Sequence, residues 1–158
     1  MKFNSALRNF VLVLISTLFI SACSTAKKSV DTVDDVYTGT DTVEFLAKGV
    51  PDRVFFATNK SKLTTKSRDT LRKQATYLRK NKDLTVTVEG HADERGTREY
   101  NLALGERRAN AAKDYLMTYG VSGKRISVIS YGKEKPVNPA SSPLAWSQNR
   151  RSVTIKAN

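Results

Sequence analysis

A single cysteine sets the terms on which this chain can fold: Cys23 is the only one in 158 residues, and one thiol cannot bridge within its own chain. Whatever lies beyond it must be held by an apolar core and hydrogen bonds. What precedes it has a distinct order. Lys2 and Arg8 supply a positive segment, Phe10 to Ile20 are apolar except for Ser16 and Thr17, and the small residues Ser21 and Ala22 stand directly before Cys23. That order is expected of a cleavable export signal covering residues 1–22. The apolar run is shorter than the roughly 20 residues a membrane-spanning helix needs.

Charge narrows the partners. The formal net charge is +12, and losing Lys2 and Arg8 with the signal leaves +10. Such a balance often marks nucleic-acid binding, but an exported chain does not meet nucleic acid in normal life. The partner expected is another polyanion or a carboxylate-rich polymer. A solvated basic surface with no partner is the alternative, and composition alone does not decide between them.

From Ser24 to about Gly49 the sequence is polar, repeats Thr and Asp, and has no sustained apolar period, which reads as a tether. About 25 such residues span roughly 25–30 Å as a coil and about 80 Å at full extension. Phe45 and Leu46 are candidates to dock on the domain, which is expected to occupy residues 51–158. Its roughly 105 residues suffice for one core.

Within that domain, Val54-Phe55-Phe56 reads as a strand. Thr64 or Thr65 caps a helix to about Asn81, with Leu71, Ala75 and Leu78 on one face. Leu84 to Glu89 alternates strictly, turning Leu84, Val86 and Val88 inward up to Gly90. A second helix is predicted over about Arg98 to Tyr119, its inward stripe Leu102, Ala109, Ala112 and Leu116, stopped by Gly120. Ile126 to Ser130 and Val153 to Ile155 read as further strands, with a short helical stretch around Trp146 between them. The fold class expected is α+β: a single mixed sheet of about four strands with two long helices on one face.

Polar chemistry concentrates in EGHADERGTREYN, residues 89–101. Glu89, His91 and Asp93 recur at every second position at a strand end, a pattern compatible with a metal or acid–base cluster. His91 is the only histidine, so a nucleophilic mechanism would need it to serve as the base unaided; a structural role at the strand end is the other reading. On the second helix, Asn101, Leu104 and Arg108 share a face distinct from the apolar stripe. Arg108 and Asp93 therefore form either a salt bridge with each other or a pair of receptors, a guanidinium for a carboxylate and an aspartate for an ammonium.

Ile20-Ser21-Ala22-Cys23 resembles the lipobox of bacterial lipoproteins, whose cysteine is acylated, and Ser24 stands where an aspartate would be the usual inner-membrane retention signal. GHADERGTREYN followed by LGERRANAAKDYL, SYGKEKP and NRR before the last strand resembles the peptidoglycan-associated lipoproteins, whose C-terminal domain is OmpA-like. The match runs from about Pro51 to Val153. This resemblance implies an outer-membrane lipoprotein on the periplasmic face, lipid-anchored at Cys23. It further implies a domain that binds the diaminopimelate of peptidoglycan stem peptides without cleaving them, and partnership with TolB in the Tol–Pal system. No metal, cofactor or catalytic residue is implied. The family's motif residues fall on Asp93 and Arg108, its first-strand loop on Thr58 and Asn59, and weaker correspondences on Asn101, Leu104 and Arg151. Two positions depart from the family pattern: Gly105 stands where the broader helix motif has serine, and Ala57 where many relatives have aspartate. The rival functions are a peptidoglycan-cleaving enzyme dependent on His91 or Glu89, and a lipoprotein that binds only proteins.

Overall fold

The computed structural model describes residues 35–157; the expected signal, Cys23 and the first part of the tether lie outside the described residues. The described chain runs β1 (Phe45–Ala47), β2 (Val50–Pro51), β3 (Arg53–Phe55), α1 (Thr65–Lys80), β4 (Val86–His91), α2 (Arg98–Thr118), a 3-10 turn (Gly123–Arg125), β5 (Ile126–Gly132), α3 (Pro143–Asn149) and β6 (Arg151–Lys156).

Each helix begins where its local chemistry says it should. Thr64 accepts a hydrogen bond from the Ser67 amide at 3.1 Å, and Thr97 one from the Tyr100 amide at 3.2 Å. Both hydroxyls satisfy donors that a helix start leaves unpaired. Ser142 does the same for α3, where Pro143 supplies a preset first turn. Gly120, in the left-handed region at φ 83°, ends α2.

β3, β6, β4 and β5 form one sheet in that order. β6 is antiparallel to both of its neighbours, with Phe55 opposite Arg151 and Gly90 opposite Ser152, whereas β4 and β5 are parallel. Strands joined through helices suggest parallel neighbours within the expected mixed sheet, and β4 and β5 are such a pair. The last strand, β6, inserts between β3 and β4, leaving one parallel pair. β3, β4 and β5 therefore all point the same way, and their C-terminal ends meet the N-terminal end of β6 at one edge.

The two long helices close one face over a core of Val54, Phe56, Leu71, Leu78, Val88 and Leu116, with smaller neighbours. Each large apolar side chain removed from water there contributes about 1.5–3 kcal/mol. Gln74 crosses this layer with both ends satisfied: its amide donates to the Pro51 carbonyl at 2.7 Å and accepts from Thr154 Oγ1 at 2.8 Å.

α2 buries a wider face than the stripe predicted. Ala109, Ala112 and Leu116 are inside, but Leu102 is only half-buried, and Leu104, Gly105 and Arg108 are buried in its place. Close approach is the cause. A methyl at Gly90 would run into the carbonyl of Gly105, and one at Gly105 would run into Ser130 Oγ. Ser130 Oγ in turn donates to the Leu102 carbonyl at 2.6 Å. The first half of α2 thus lies directly on β4 and β5, so its polar residues are buried at the sheet edge.

Past residue 35 the segment read as tether packs on the domain, and one of its two docking candidates does so. β1 and β2 pair as a short hairpin, and Leu46 joins the core while Phe45 stays exposed. Tyr37 is buried against Phe55, ring centroids 4.8 Å apart. Isolated apolar residues in a polar stretch dock individually here, which periodicity does not register.

Gly90→Ala should be strongly destabilising, because the obstacle is backbone and not the end of a flexible side chain. We expect a loss of about 3 kcal/mol, measured by urea unfolding; unchanged stability would mean that α2 does not lie on β4 in this way.

Candidate functional site

Four segments converge at the edge where β3, β4 and β5 end and β6 begins: residues 56–60, 91–97, 132–135 and 149–151. Arg108 reaches them from the helix layer. Its guanidinium is wholly buried and donates through Nε to the Lys60 carbonyl at 2.9 Å, through Nη1 to that of His91 at 2.8 Å and through Nη2 to that of Ala57 at 3.0 Å. It also lies over the Phe56 ring at 5.3 Å. Burial pushes its pKa down to about 10, and the nearby Arg150 charge adds to this while Asp93 opposes it; it remains a cation at neutral pH. A guanidinium has more N–H groups than these bonds use, so one on Nη1 and one on Nη2 remain.

Asp93 follows β4 and is nearly buried. Its Oδ1 accepts from the Arg95 amide and Arg95 Nε, each at 3.1 Å, and its Oδ2 from Arg95 Nη2 at 2.7 Å and Arg150 Nη1 at 3.4 Å. Burial would raise its pKa, but the Arg95 bonds and the charges of Arg95 and Arg150 outweigh it and hold the carboxyl below its usual range. Asp93 is therefore ionised, and its ion-pair partners are Arg95 and Arg150 rather than Arg108.

The loop bearing Asp93 is braced on its outer side. Glu94 accepts from Trp146 Nε1 at 2.8 Å and Ser141 Oγ at 2.9 Å, and the Arg95 guanidinium stacks 4.3 Å above the Trp146 ring. Lys133 Nζ donates to the Gly96 carbonyl at 2.8 Å. The Asn101 amide donates to the Arg95 carbonyl at 2.8 Å.

The residues expected at the site divide accordingly. Asp93, Arg108 and Thr58 come together, with Arg95 Nη2 3.3 Å from Thr58 Oγ1. Asn59 is exposed in the left-handed region at φ 54°, turning the first-strand loop. Asn101 and Leu104 are buried, the first holding the loop and the second packed inside. Arg151 is not brought to this group. It donates to the carbonyls of Asn149 and Lys135 and shares the surroundings of Arg53 and Glu89. Arg150 takes the place expected of it, donating to the Phe56 carbonyl at 3.1 Å and to Asp93. Sequence reasoning also passed over Arg95. Its signal was present, since a cation two residues from an acidic residue in a loop is placed to fold back on it.

Chemically, the arrangement is a receptor for paired opposite charges: an ionised carboxylate and two buried guanidiniums around a loop whose backbone amides and carbonyls face the same edge. Among the described residues no group of three His, Cys, Asp or Glu side chains could hold a metal ion. Ala57 contributes its carbonyl to Arg108, and that contact needs no particular side chain.

The OmpA family model matches residues 55–150. The chain is 44% identical over 154 residues to a peptidoglycan-associated lipoprotein of Rhizobium meliloti, covering 94% of this chain and 88% of that one. It is 43% identical over 153 residues to one from Mesorhizobium japonicum, covering 93% and 91%. Among solved structures it resembles the peptidoglycan-associated lipoprotein of Burkholderia pseudomallei, with a TM-score of 0.66 and 35% identity over 67% of this chain and 90% of that one.

His91 stands behind the site. Its Nε2 lies 3.3 Å from Glu89 Oε2, its Nδ1 has no partner, and its ring tilts against Tyr131. Burial, with the charges of Arg151 and Arg53, lowers its pKa from 6.5 to about 3. The unfolded chain then binds a proton that the folded chain refuses, so stability falls as pH drops from 6.5 toward 3, by up to about 1.4 kcal/mol per pH unit. Because there is one histidine, its ring resonances are directly readable: they should stay those of a neutral imidazole down to about pH 4. A midpoint near 6.5 would contradict its burial.

Proposed function

The chain belongs to the OmpA family, among the peptidoglycan-associated lipoproteins, and from that membership we propose that it grips peptidoglycan non-covalently and ties the outer membrane to the cell wall. The ligand is the diaminopimelate of the stem peptide, whose free D-centre keeps both an ammonium and a carboxylate. Asp93 receives the ammonium and Arg108 the carboxylate. The observation that carries this reading is the pairing of an ionised Asp93 with a buried, preorganised Arg108 across one loop. Each charge-assisted bond contributes about 1.5–3 kcal/mol.

The site makes the exchange physically simple. Arg95 is the only one of the three arginines with substantial exposure, its side chain 42% accessible, so an incoming ammonium can displace it from Asp93 into solvent. Two N–H groups of Arg108 have no acceptor in its hydrogen-bond set, and because the guanidinium is wholly buried a carboxylate reaches them only by moving aside what covers them. The domain binds and does not cleave. Acylation at Cys23 anchors the chain to the periplasmic face of the outer membrane. Tethering raises the effective concentration of wall ligand to roughly the millimolar range, so a modest intrinsic affinity suffices. As a member of the Tol–Pal system the protein also engages TolB, at a surface that overlaps the site.

The test is a pulldown with purified diaminopimelate-type sacculi. Arg108→Ala would strand three carbonyls and confuse folding with binding, so Arg108→Lys is the better variant: it keeps the charge and removes the planar fork. Asp93→Ala and Arg108→Lys should each weaken binding at least about tenfold while retaining the wild-type circular dichroism, with no muropeptides released. Equal binding by all three proteins would mean that the basic surface holds the polymer without this site.

A further inference from the structure

The part of the tether nearest the domain is packed along the same edge. Asp35 Oδ2 accepts the Thr58 amide at 2.7 Å and lies 3.5 Å from Arg150 Nη2, which also donates to the Asp35 carbonyl. Behind it, Tyr37 rests on Phe55, Lys66 Nζ donates to the Thr38 carbonyl at 2.6 Å, and the Gln148 amide donates to Asp41 Oδ2 at 2.8 Å. These contacts join residues far apart in sequence and make residues 35–41 a strap across the first-strand loop and α3. Between strap and domain remains a cleft of about 490 Å3, with Thr58, Arg95, Trp146 and Arg150 on the domain side. That lies within the roughly 300–1,000 Å3 of ordinary small-ligand sites.

The charges in this cleft form a pattern. Asp93 is satisfied by a cation of its own chain, Arg95, and the Thr58 amide and Arg150 are satisfied by an anion of its own chain, Asp35. The free protein thus holds one positive and one negative group where a zwitterion would offer the same two. Burial tends to raise the Asp35 pKa, but the Thr58 hydrogen bonds and the Arg150 charge prevail and keep it below the usual carboxylate range, so the anion is present throughout the neutral range.

We infer that the strap is a built-in competitor: Asp35 engages the Thr58 amide and Arg150, which flank the Arg108 carboxylate seat, and stem-peptide binding displaces it. This rests on the reading of the site as the diaminopimelate receptor. Intramolecular occupancy lowers the apparent affinity by the fraction of molecules whose seat is open. Displacement also lengthens the tether. With Asp35 docked, the chain from Cys23 to Asp35 reaches at most about 40 Å, and releasing the strap adds about 3.4 Å for each residue freed. Engagement of the wall therefore slackens the link to the membrane.

The experiment uses the chain from residue 23 onward with Cys23→Ser, comparing wild type, Asp35→Ala, the charge-preserving Asp35→Glu and Asp93→Ala. Binding to diaminopimelate-type sacculi is measured together with the Thr58 amide resonance of the free proteins. Asp35→Ala should bind about 3–10-fold more tightly, and its Thr58 amide should move upfield. Asp35→Glu should stay nearer to wild type in both. If Asp35→Ala binds no better than wild type while Asp93→Ala loses binding, the strap is not a competitor, although the receptor reading stands. If Asp93→Ala binds as wild type does, the receptor reading itself fails and the competition falls with it.

Discussion

A guanidinium removed wholly from water must find its acceptors inside the protein, and Arg108 finds them in three backbone carbonyls from two different segments. An isolated buried cation is among the most costly groups a fold can carry. Here the cost is reduced by hydrogen bonds at 2.8–3.0 Å, by the Phe56 face and by the field of Asp93. In return, the first-strand loop and the end of β4 are fixed to one point on α2. The Gly90–Gly105 contact makes this possible, since only a helix lying directly on the sheet lets a side chain at residue 108 reach the strand ends.

The rest of the edge is organised around that fixed charge. Arg150 sits near enough to Arg108 for the two positive charges to oppose one another, and Asp93 stands where it offsets both. Glu94, Trp146 and Lys133 then brace the Asp93 loop from outside. The outcome is a seat whose more exposed members, Arg95 and the strap bearing Asp35, lie on its outer side. Preorganised charge of this kind contributes specificity because its ordering is complete before a ligand arrives.

Much of this was legible in the sequence because it is periodic. Leu71, Ala75 and Leu78 marked the inner face of α1, Val86 and Val88 that of β4, and Thr64 and Gly120 the ends of helices. The misses share a cause. The inner face of α2 shifted from Leu102 toward Leu104 and Arg108 because a glycine contact, invisible to hydropathy, sets the helix's rotation. Arg150 and Arg151 are adjacent and chemically identical in sequence, and only the register of β6 determines which one reaches Asp93. Asp35 lies in a polar stretch with scattered apolar residues, and its partner Thr58 is 23 positions away. Local pattern carries no information about such a contact.

The central claim is that this edge recognises a carboxylate and an ammonium on one carbon centre. It is tested most directly from the ligand side, by calorimetry with two soluble stem tripeptides that differ only in whether the third residue is diaminopimelate or lysine. Lysine keeps the ammonium and lacks the second carboxylate. Losing one charge-assisted interaction of about 1.5–3 kcal/mol predicts that the lysine peptide binds roughly 10–150-fold more weakly. Equal affinity for the two peptides would contradict the account, because the guanidiniums at this edge would then have no carboxylate to recognise.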